Sequence, residues 1–178
     1  MLSRTDSDFI EEFYRSEARP RHASRVTISQ LLLEFRRAVQ AAGINAFWQS
    51  RIAGRLRSKP ESVAQHLLEL GLEMRFYGTK SGFVVSQFRS GIGFVDVGIV
   101  LSRVLHIVEL KVLTKALRGP SQLDQYMEDR QRNEGWLVIF DARLPGSKTD
   151  IPASIPCKAG KIRTLVVDIN PTAPSRKR

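Results

Sequence analysis

The spacing of apolar residues changes abruptly near Gly71, and this change constrains the fold of the 178-residue chain more than any other feature. Before Gly71, apolar residues recur every three or four positions, which is the period of an amphipathic helix. After it come GFVVSQF, GFVDVGIVL and VLHIVELKVL, which are rich in β-branched residues and separated by turn-like sequences. We therefore predict a helix followed by three strands that are joined by tight turns.

The sequence after these strands predicts one more helix and two more strands. SQLDQYMEDRQRN has helical spacing, GWLVIFDAR is nearly unbroken apolar sequence, and KIRTLVVDI is a final strand candidate. The Gly-, Pro- and Ser-rich segment LPGSKTDIPASIPCKAG between the two strands predicts a loop. The order is helix, three strands, helix, strand, strand. This order predicts an α/β fold with a mixed central β-sheet flanked by helices.

The segment 1–59 predicts a basic helical extension that precedes the core. An acid-rich helix is predicted over 6–18, and Thr27 is placed to cap a second helix that ends at Gly43. Residues 45–59 predict a third, short helix. The next helix begins at Pro60 and is predicted to end at Gly71.

The chain carries 28 Lys and Arg against 18 Asp and Glu, a formal net charge of +10. The surplus is divided equally between residues 1–59 and residues 151–178, and the segment 60–150 is neutral. A polyanionic partner follows from such a balance, with nucleic acid preferred over anionic lipid. Four residues are candidate phosphate contacts, although a charge run of this kind is also typical of a solvated surface: Arg51, Arg55, Arg57 and Lys59.

Composition excludes several classes of protein. Hydrophobic residues make up 42% and charged residues 26% of the chain, which is typical of a globular protein. No apolar run approaches the roughly 18 residues of a membrane span, so no membrane partner is expected. One cysteine, Cys157, excludes an internal disulfide and a multi-cysteine zinc site. The N-terminus has no signal-peptide pattern, and a cytoplasmic location is expected.

The domain is predicted over 60–170, with a basic tail over 171–178.

Three charged residues interrupt strands that are otherwise apolar: Asp96, Glu109 and Lys111. A charge in such a run is costly to bury unless it is paired or binds a metal ion. A hairpin that turns at Ser102 and Arg103 places Asp96 nearly opposite Glu109, and strand periodicity places Lys111 on the same face. Two facing carboxylates repel each other unless a cation lies between them. The pattern therefore predicts a site for Mg²⁺, although an E-x-K tripeptide alone is also common on exposed sheets.

The segment VDVGIVLSRVLHIVELKV resembles the signature of the PD-(D/E)XK nuclease superfamily, the fold of many restriction enzymes. The resemblance covers about residues 60–142 and implies a restriction-endonuclease-like αβββαβ core. It implies that Asp96, Glu109 and the Leu110 carbonyl bind Mg²⁺, for which Mn²⁺ substitutes, and that Lys111 positions or activates the nucleophile. Val95 stands where the family name has proline.

Two further motifs acquire a role from this resemblance. Gln122 and Tyr126 match the Q-x-x-x-Y of RecB-type nucleases, which implies that they line the site and orient substrate or metal-bound water. Otherwise Tyr126 is a core tyrosine on a helix. Glu61 lies near the start of the first core helix, where the family often has a catalytic glutamate. Its alternative role is to stabilise the helix N-terminus.

The resemblance implies a metal-dependent nuclease with DNA as the expected substrate. The alternative is a catalytically silent nucleic-acid-binding or assembly module on the same fold. A third interpretation is a basic α/β protein whose helical N-terminus mediates dimerisation or partner docking. A single centre cuts one strand, so double-strand cleavage requires a homodimer or two successive cuts.

Overall fold

The computed structural model describes residues 26–50, 55–77, 82–90, 93–115, 117, 121–144, 146 and 148–170. Three sequence predictions lie outside these residues: the helix over 6–18, the phosphate contact at Arg51 and the basic tail over 171–178.

The described residues form three α-helices, a small hairpin and a six-stranded sheet. The helices are α1 (Ile28–Ala38), α2 (Pro60–Phe76) and α3 (Ser121–Asp129). The hairpin consists of β1 (Trp48–Ser50) and β2 (Arg55–Leu56). The sheet contains β3 (Gly82–Ser90), β4 (Gly93–Leu101), β5 (Val104–Leu113), β6 (Glu134–Asp141), β7 (Ser154–Cys157) and β8 (Gly160–Asp168).

The strand order in the large sheet is β3-β4-β5-β6-β8-β7. The strands β3, β4 and β5 form an antiparallel meander, β5, β6 and β8 run parallel, and β7 is antiparallel to β8. The helix α3 connects the parallel strands β5 and β6, as expected for a crossover between parallel strands. The predicted α/β class with a mixed sheet is therefore confirmed.

The hairpin between β4 and β5 has the register that the sequence predicted. Val97 pairs with Val108 and Leu101 pairs with Val104. The two turn residues, Ser102 and Arg103, have φ values of 49° and 66°. Two successive positive φ values are typical of the tight turn whose twist matches that of the flanking strands. This register brings Asp96 to the level of Glu109.

The helix predicted over residues 45–59 is wrong. The α-helix α1, capped by Thr27 as predicted, ends at Ala38 and continues as a π-helix over Val39–Gly43. A 3₁₀ turn over Ile44–Phe47 then leads into β1. Phe47 and Trp48 are both buried, and the Trp48 indole donates a 2.8 Å hydrogen bond to the Ile169 carbonyl. Packing against distant parts of the chain thus overrides the local helical tendency.

Two other predicted boundaries are also wrong. Helix α2 passes Gly71 and ends at Phe76, because its buried stripe continues through Leu72 and Phe76. The segment predicted as a loop contains β7, whose residues pair with β8 at the sheet edge. Its sequence is too short and too rich in proline to show a strand pattern.

The helices cover opposite faces of the sheet. The helices α1 and α2 pack with Val97, Val108 and Phe140 in one core cluster. Helix α3 packs with Ile107 and Ile139 in another. Neighbouring residues of a strand point to opposite faces, so these clusters form two layers. In the described part of 1–59, α1 belongs to the same core as the predicted domain 60–170.

No helix in the described residues has the length and apolar character that a membrane span requires.

Candidate active site

The candidate site lies where strands β4 and β5 separate. Their pairing ends at Val97 and Val108, although β4 continues beside β3 as far as Gly93. Beyond that point two carboxylates take the place of the missing backbone partner. Asp96 Oδ2 accepts the Leu110 N–H at 2.8 Å, and Glu61 Oε1 accepts the Val112 N–H at 3.4 Å. Side chains from β4 and α2 thereby satisfy the N–H groups of β5 that would otherwise remain unpaired.

Glu109 and Lys111 form an ion pair beside this fork. The distance between Lys111 Nζ and Glu109 Oε1 is 2.8 Å. Glu109 is only 3% exposed, whereas the Lys111 side chain is 41% exposed. The other carboxylate oxygen, Glu109 Oε2, is buried and has no hydrogen-bond partner among the described residues. An unsatisfied oxygen on a buried carboxylate is unfavourable unless a cation or another donor reaches it.

Burial shifts the titration of all three charged groups. It raises the pKa of Asp96 above 3.8, against the opposing effects of the Leu110 N–H and the Lys111 charge. It also raises the pKa of Glu109 above 4.5, and the nearby Asp96 and Glu61 add to this rise. Burial alone would lower the pKa of Lys111, but Glu109 outweighs it and holds the pKa above 10.5. Lys111 is therefore a charged ammonium. The negative charges of Asp96 and Glu61 lie close enough to act on Glu109.

The structure thus brings together five of the residues that the sequence singled out: Glu61, Asp96, Glu109, Leu110 and Lys111. Leu110 takes part through its backbone. Its N–H points to Asp96, and in an extended strand the C=O of a residue points to the same side as its N–H. The Leu110 carbonyl therefore faces the fork as well.

The oxygen donors at the fork suit a hard cation such as Mg²⁺ or Mn²⁺ better than a softer ion such as Zn²⁺. The described residues contain no group of three or more His, Cys, Asp or Glu side chains placed to hold a metal ion. Mg²⁺, however, is commonly bound through one or two carboxylates, with water and phosphate oxygens completing its octahedron. Asp96 and the unpartnered Glu109 Oε2 are two such carboxylates, and they supply only oxygen donors. The fork therefore fits Mg²⁺ as the sequence predicted, and the ion's site remains a prediction.

Gln122 and Tyr126 contact each other and the start of β4. The Gln122 amide donates to the Tyr126 hydroxyl at 2.5 Å, and that hydroxyl donates to the Phe94 carbonyl at 2.7 Å. Tyr126 is fully buried. Since Phe94 lies two residues before Asp96, the pair fixes β4 on the side of the fork that faces α3. Whether it also orients substrate or water stays a prediction.

Gln65 also contacts the fork, although no sequence motif singled out this residue. Its amide donates to the Asp96 carbonyl at 3.3 Å and accepts from Gln87 Nε2 at 3.3 Å. Gln87 has a φ of 43°, and the Gln87–Asp96 pair is missing from a β3–β4 ladder that is otherwise regular. Gln65 therefore contacts both β3 and β4 at the irregularity where the Gln87–Asp96 pair is missing. One sequence signal was present: Gln65 lies four residues after Glu61, on the same face of α2.

The basic residues near α2 are exposed. Arg55 lies in β2, and Arg57 and Lys59 occupy the link between β2 and α2. Lys59 is two residues before Glu61, so these charges lie next to the acidic fork. Their role as phosphate contacts stays a prediction.

No protein-family model, no curated protein and no solved structure matches this chain.

Proposed function

We propose that this chain is a divalent-metal-dependent nuclease of the PD-(D/E)XK type that hydrolyses phosphodiester bonds, with DNA as its expected substrate. The observation that carries the proposal is the buried, unpartnered Glu109 Oε2 at a strand fork that also holds Asp96 and Lys111. The large majority of buried side-chain polar atoms in folded proteins have a hydrogen-bond partner, and a cation at the fork would supply one for this oxygen. The helix–three strands–helix–strand order supports a restriction-endonuclease-like core.

Each residue has a distinct part in this chemistry. Asp96, Glu109 and the Leu110 carbonyl would hold Mg²⁺, which lowers the pKa of a bound water and neutralises charge that develops on the phosphate. The Lys111 ammonium holds a phosphate oxygen or the attacking water, as a compact cation with three donors. Glu61 holds the Val112 N–H and so keeps this stretch of β5 in place beside the fork.

The proposal predicts DNA cleavage that depends on Mg²⁺ and on Asp96. Purified protein is incubated with supercoiled and linear DNA in Mg²⁺, Mn²⁺ or EDTA. We expect cleavage in both metals and none in EDTA. Asp96→Asn should lower the rate by about 10²–10³-fold, because it removes a charged oxygen ligand from the metal and a charged acceptor from the Leu110 N–H. Asp150→Asn, an exposed aspartate, is the matched control and should leave the rate unchanged.

Cleavage that persists in EDTA, or that survives Asp96→Asn at full rate, would contradict the proposal. Salt-dependent DNA binding without cleavage in either metal would favour the catalytically silent binding module instead.

A second variant tests whether the Tyr126 hydroxyl positions Asp96. Tyr126→Phe removes the hydrogen bond to the Phe94 carbonyl and keeps the buried ring, so we expect the chain to remain folded with about 1 kcal/mol less stability. The displacement of β4 should raise the Mg²⁺ concentration needed for half-maximal cleavage and lower kcat, with little change in DNA affinity. A variant whose only defect is lower stability would contradict a positioning role.

A further inference from the structure

Two clefts lie side by side along the start of α2. One has a volume of about 440 Å³ and is bounded by Glu61, Val112 and Thr114, next to the strand fork. The other has a volume of about 560 Å³ and extends along α2 toward Leu70. Both are within the roughly 300–1,000 Å³ that is usual for ligand clefts. They share three lining residues, Ser58, Lys59 and Ser62, so the two clefts adjoin each other. We call them together the α2 groove.

The lining of the α2 groove combines two kinds of side chain. The link before α2 contributes the exposed cations Arg57 and Lys59. Helix α2 contributes the apolar side chains of Val63, Leu67 and Leu70, together with the polar Ser62 and His66. Leu70 is 56% exposed, so the apolar lining contributed by α2 continues to the protein surface. Two cations in a cleft that also has apolar side chains favour a ligand with a charged backbone and flat apolar groups.

We propose that the α2 groove binds an unpaired nucleic-acid strand and leads it to the fork. The inference rests on the proposed nuclease function and specifies its substrate as single-stranded or splayed nucleic acid. In a duplex the base faces are stacked inside, so the outer surface that meets a protein groove is charged backbone and polar base edges. An unpaired strand exposes its base faces for apolar contact while its phosphates remain available to Arg57 and Lys59.

The position of Lys59 sets the path of the strand. Lys59 lines both clefts, whereas Arg57 and Leu70 line only the outer one and Glu61 only the inner one. A strand that rests its bases on Leu70 therefore passes Lys59 before its backbone reaches Glu61.

Binding is measured by fluorescence anisotropy in EDTA, so that cleavage plays no part. The probes are a short fluorescein-labelled oligothymidine strand and a blunt duplex of equal length. We expect the full chain to bind the single strand more tightly than the duplex. Leu70→Gln should weaken single-strand binding about threefold, because it removes apolar surface that covers a base face, and leave duplex binding unchanged. Lys59→Glu should weaken binding of both probes and reduce the slope of log affinity against log salt by about one.

Two variants serve as matched controls. Leu144→Gln changes another leucine that is 69% exposed, and Lys158→Glu reverses an exposed charge in the turn between β7 and β8. Both should leave binding unchanged. Equal affinity for the two probes, or a Leu70→Gln variant that binds like the wild type, would overturn the inference.

The nuclease assay separates this inference from the proposed function. Duplex cleavage in Mg²⁺ without any single-strand preference would overturn the groove assignment and leave the nuclease intact. A single-strand preference that depends on Leu70, without cleavage in any metal, would support the groove and remove the nuclease.

Discussion

Replacing Glu109 by glutamine is expected to lower metal-dependent cleavage by about 10³-fold or more without loss of stability. Glutamine has nearly the same shape as glutamate, but its amide is a weaker ligand for a cation. One of the two terminal atoms of its side chain is an NH₂ nitrogen, which donates hydrogen bonds and cannot bind a cation. Glu109 Oε2 has no hydrogen-bond partner among the described residues. We expect this oxygen to be the atom of Glu109 that binds the metal ion.

The stability of the same variant should move in the opposite direction. Glu109 is 3% exposed, and burial raises the pKa of its carboxyl, so the ionised form is disfavoured in the fold. The neutral amide avoids this cost. Lys111 loses its partner, but its side chain is 41% exposed and is hydrated by solvent. We therefore expect an equal or higher midpoint of thermal unfolding in EDTA.

The two quantities are measured on one protein preparation, by single-turnover cleavage and by thermal unfolding. Glu73→Gln, at an exposed position on α2, is the control and should change neither of them. A Glu109→Gln variant that cleaves at the wild-type rate would exclude Glu109 as a metal ligand. A variant that is clearly less stable would show that the Glu109–Lys111 pair is mainly structural.

Replacing Arg143 by methionine is expected to lower the free energy of unfolding by about 3–5 kcal/mol. Arg143 and Asp141 form an ion pair at the end of β6, with both side chains 4% exposed. The guanidinium contacts both Asp141 oxygens at 2.9–3.0 Å and also the Thr149 hydroxyl at 2.8 Å. The Arg143 carbonyl accepts from the Asn170 amide at 2.8 Å.

The large expected loss comes from the partner that remains. Without Arg143, the Asp141 carboxylate stays buried and loses both guanidinium hydrogen bonds, and the more distant Lys148 compensates its charge only in part. The double variant Asp141→Leu/Arg143→Met removes both charges and should recover much of the lost stability. Both variants are measured by urea unfolding at neutral pH.

The pair Arg75–Glu34 is the control for this comparison. Its N–O distance is 3.4 Å, and its side chains are 42% and 53% exposed. Arg75→Met should therefore cost less than about 1 kcal/mol. If Arg75→Met and Arg143→Met cost equally little, the buried pair contributes no more than a surface ion pair.

The Asp141–Arg143 pair also predicts the direction of a pH effect. Burial alone would raise the pKa of Asp141, but the hydrogen bonds and charge of Arg143 outweigh it and hold the pKa below 3.8. A depressed pKa in the folded state stabilises the fold at a pH above the unfolded-state pKa. The contribution is thus complete above about pH 4 and is lost as the pH falls through the lower folded-state pKa. Arg143→Met should remove this part of the acid dependence.

Sequence reasoning succeeded where the determinants are local. The hairpin register follows from two alternating strands and the two-residue turn at Ser102 and Arg103. This register places Asp96 at the level of Glu109. The N-cap at Thr27 is likewise local, because the Thr27 side chain accepts the N–H of Gln30, three residues later.

It failed where the determinants lie far away in the chain. β1 forms because the buried Trp48 donates a hydrogen bond to the Ile169 carbonyl. β7 forms because its residues pair with those of β8 at the edge of the sheet. The role of Gln65 depends on a strand irregularity at Gln87 that no local pattern reveals. The fork itself arises from three elements, so the sequence identified its acids but not the N–H groups that they satisfy.

The bond between the Trp48 indole and the Ile169 carbonyl also has a consequence for the order of folding. The two residues are separated by 121 positions, and Phe35 of α1 packs on Phe140 over a similar separation. During synthesis at about 5–20 residues per second, the early helix therefore waits on the order of ten seconds for these neighbours. Contacts of such long range slow folding. The apolar face of α1 is thus a surface that a chaperone, or a neighbouring nascent chain, contacts while these partners are still being synthesised.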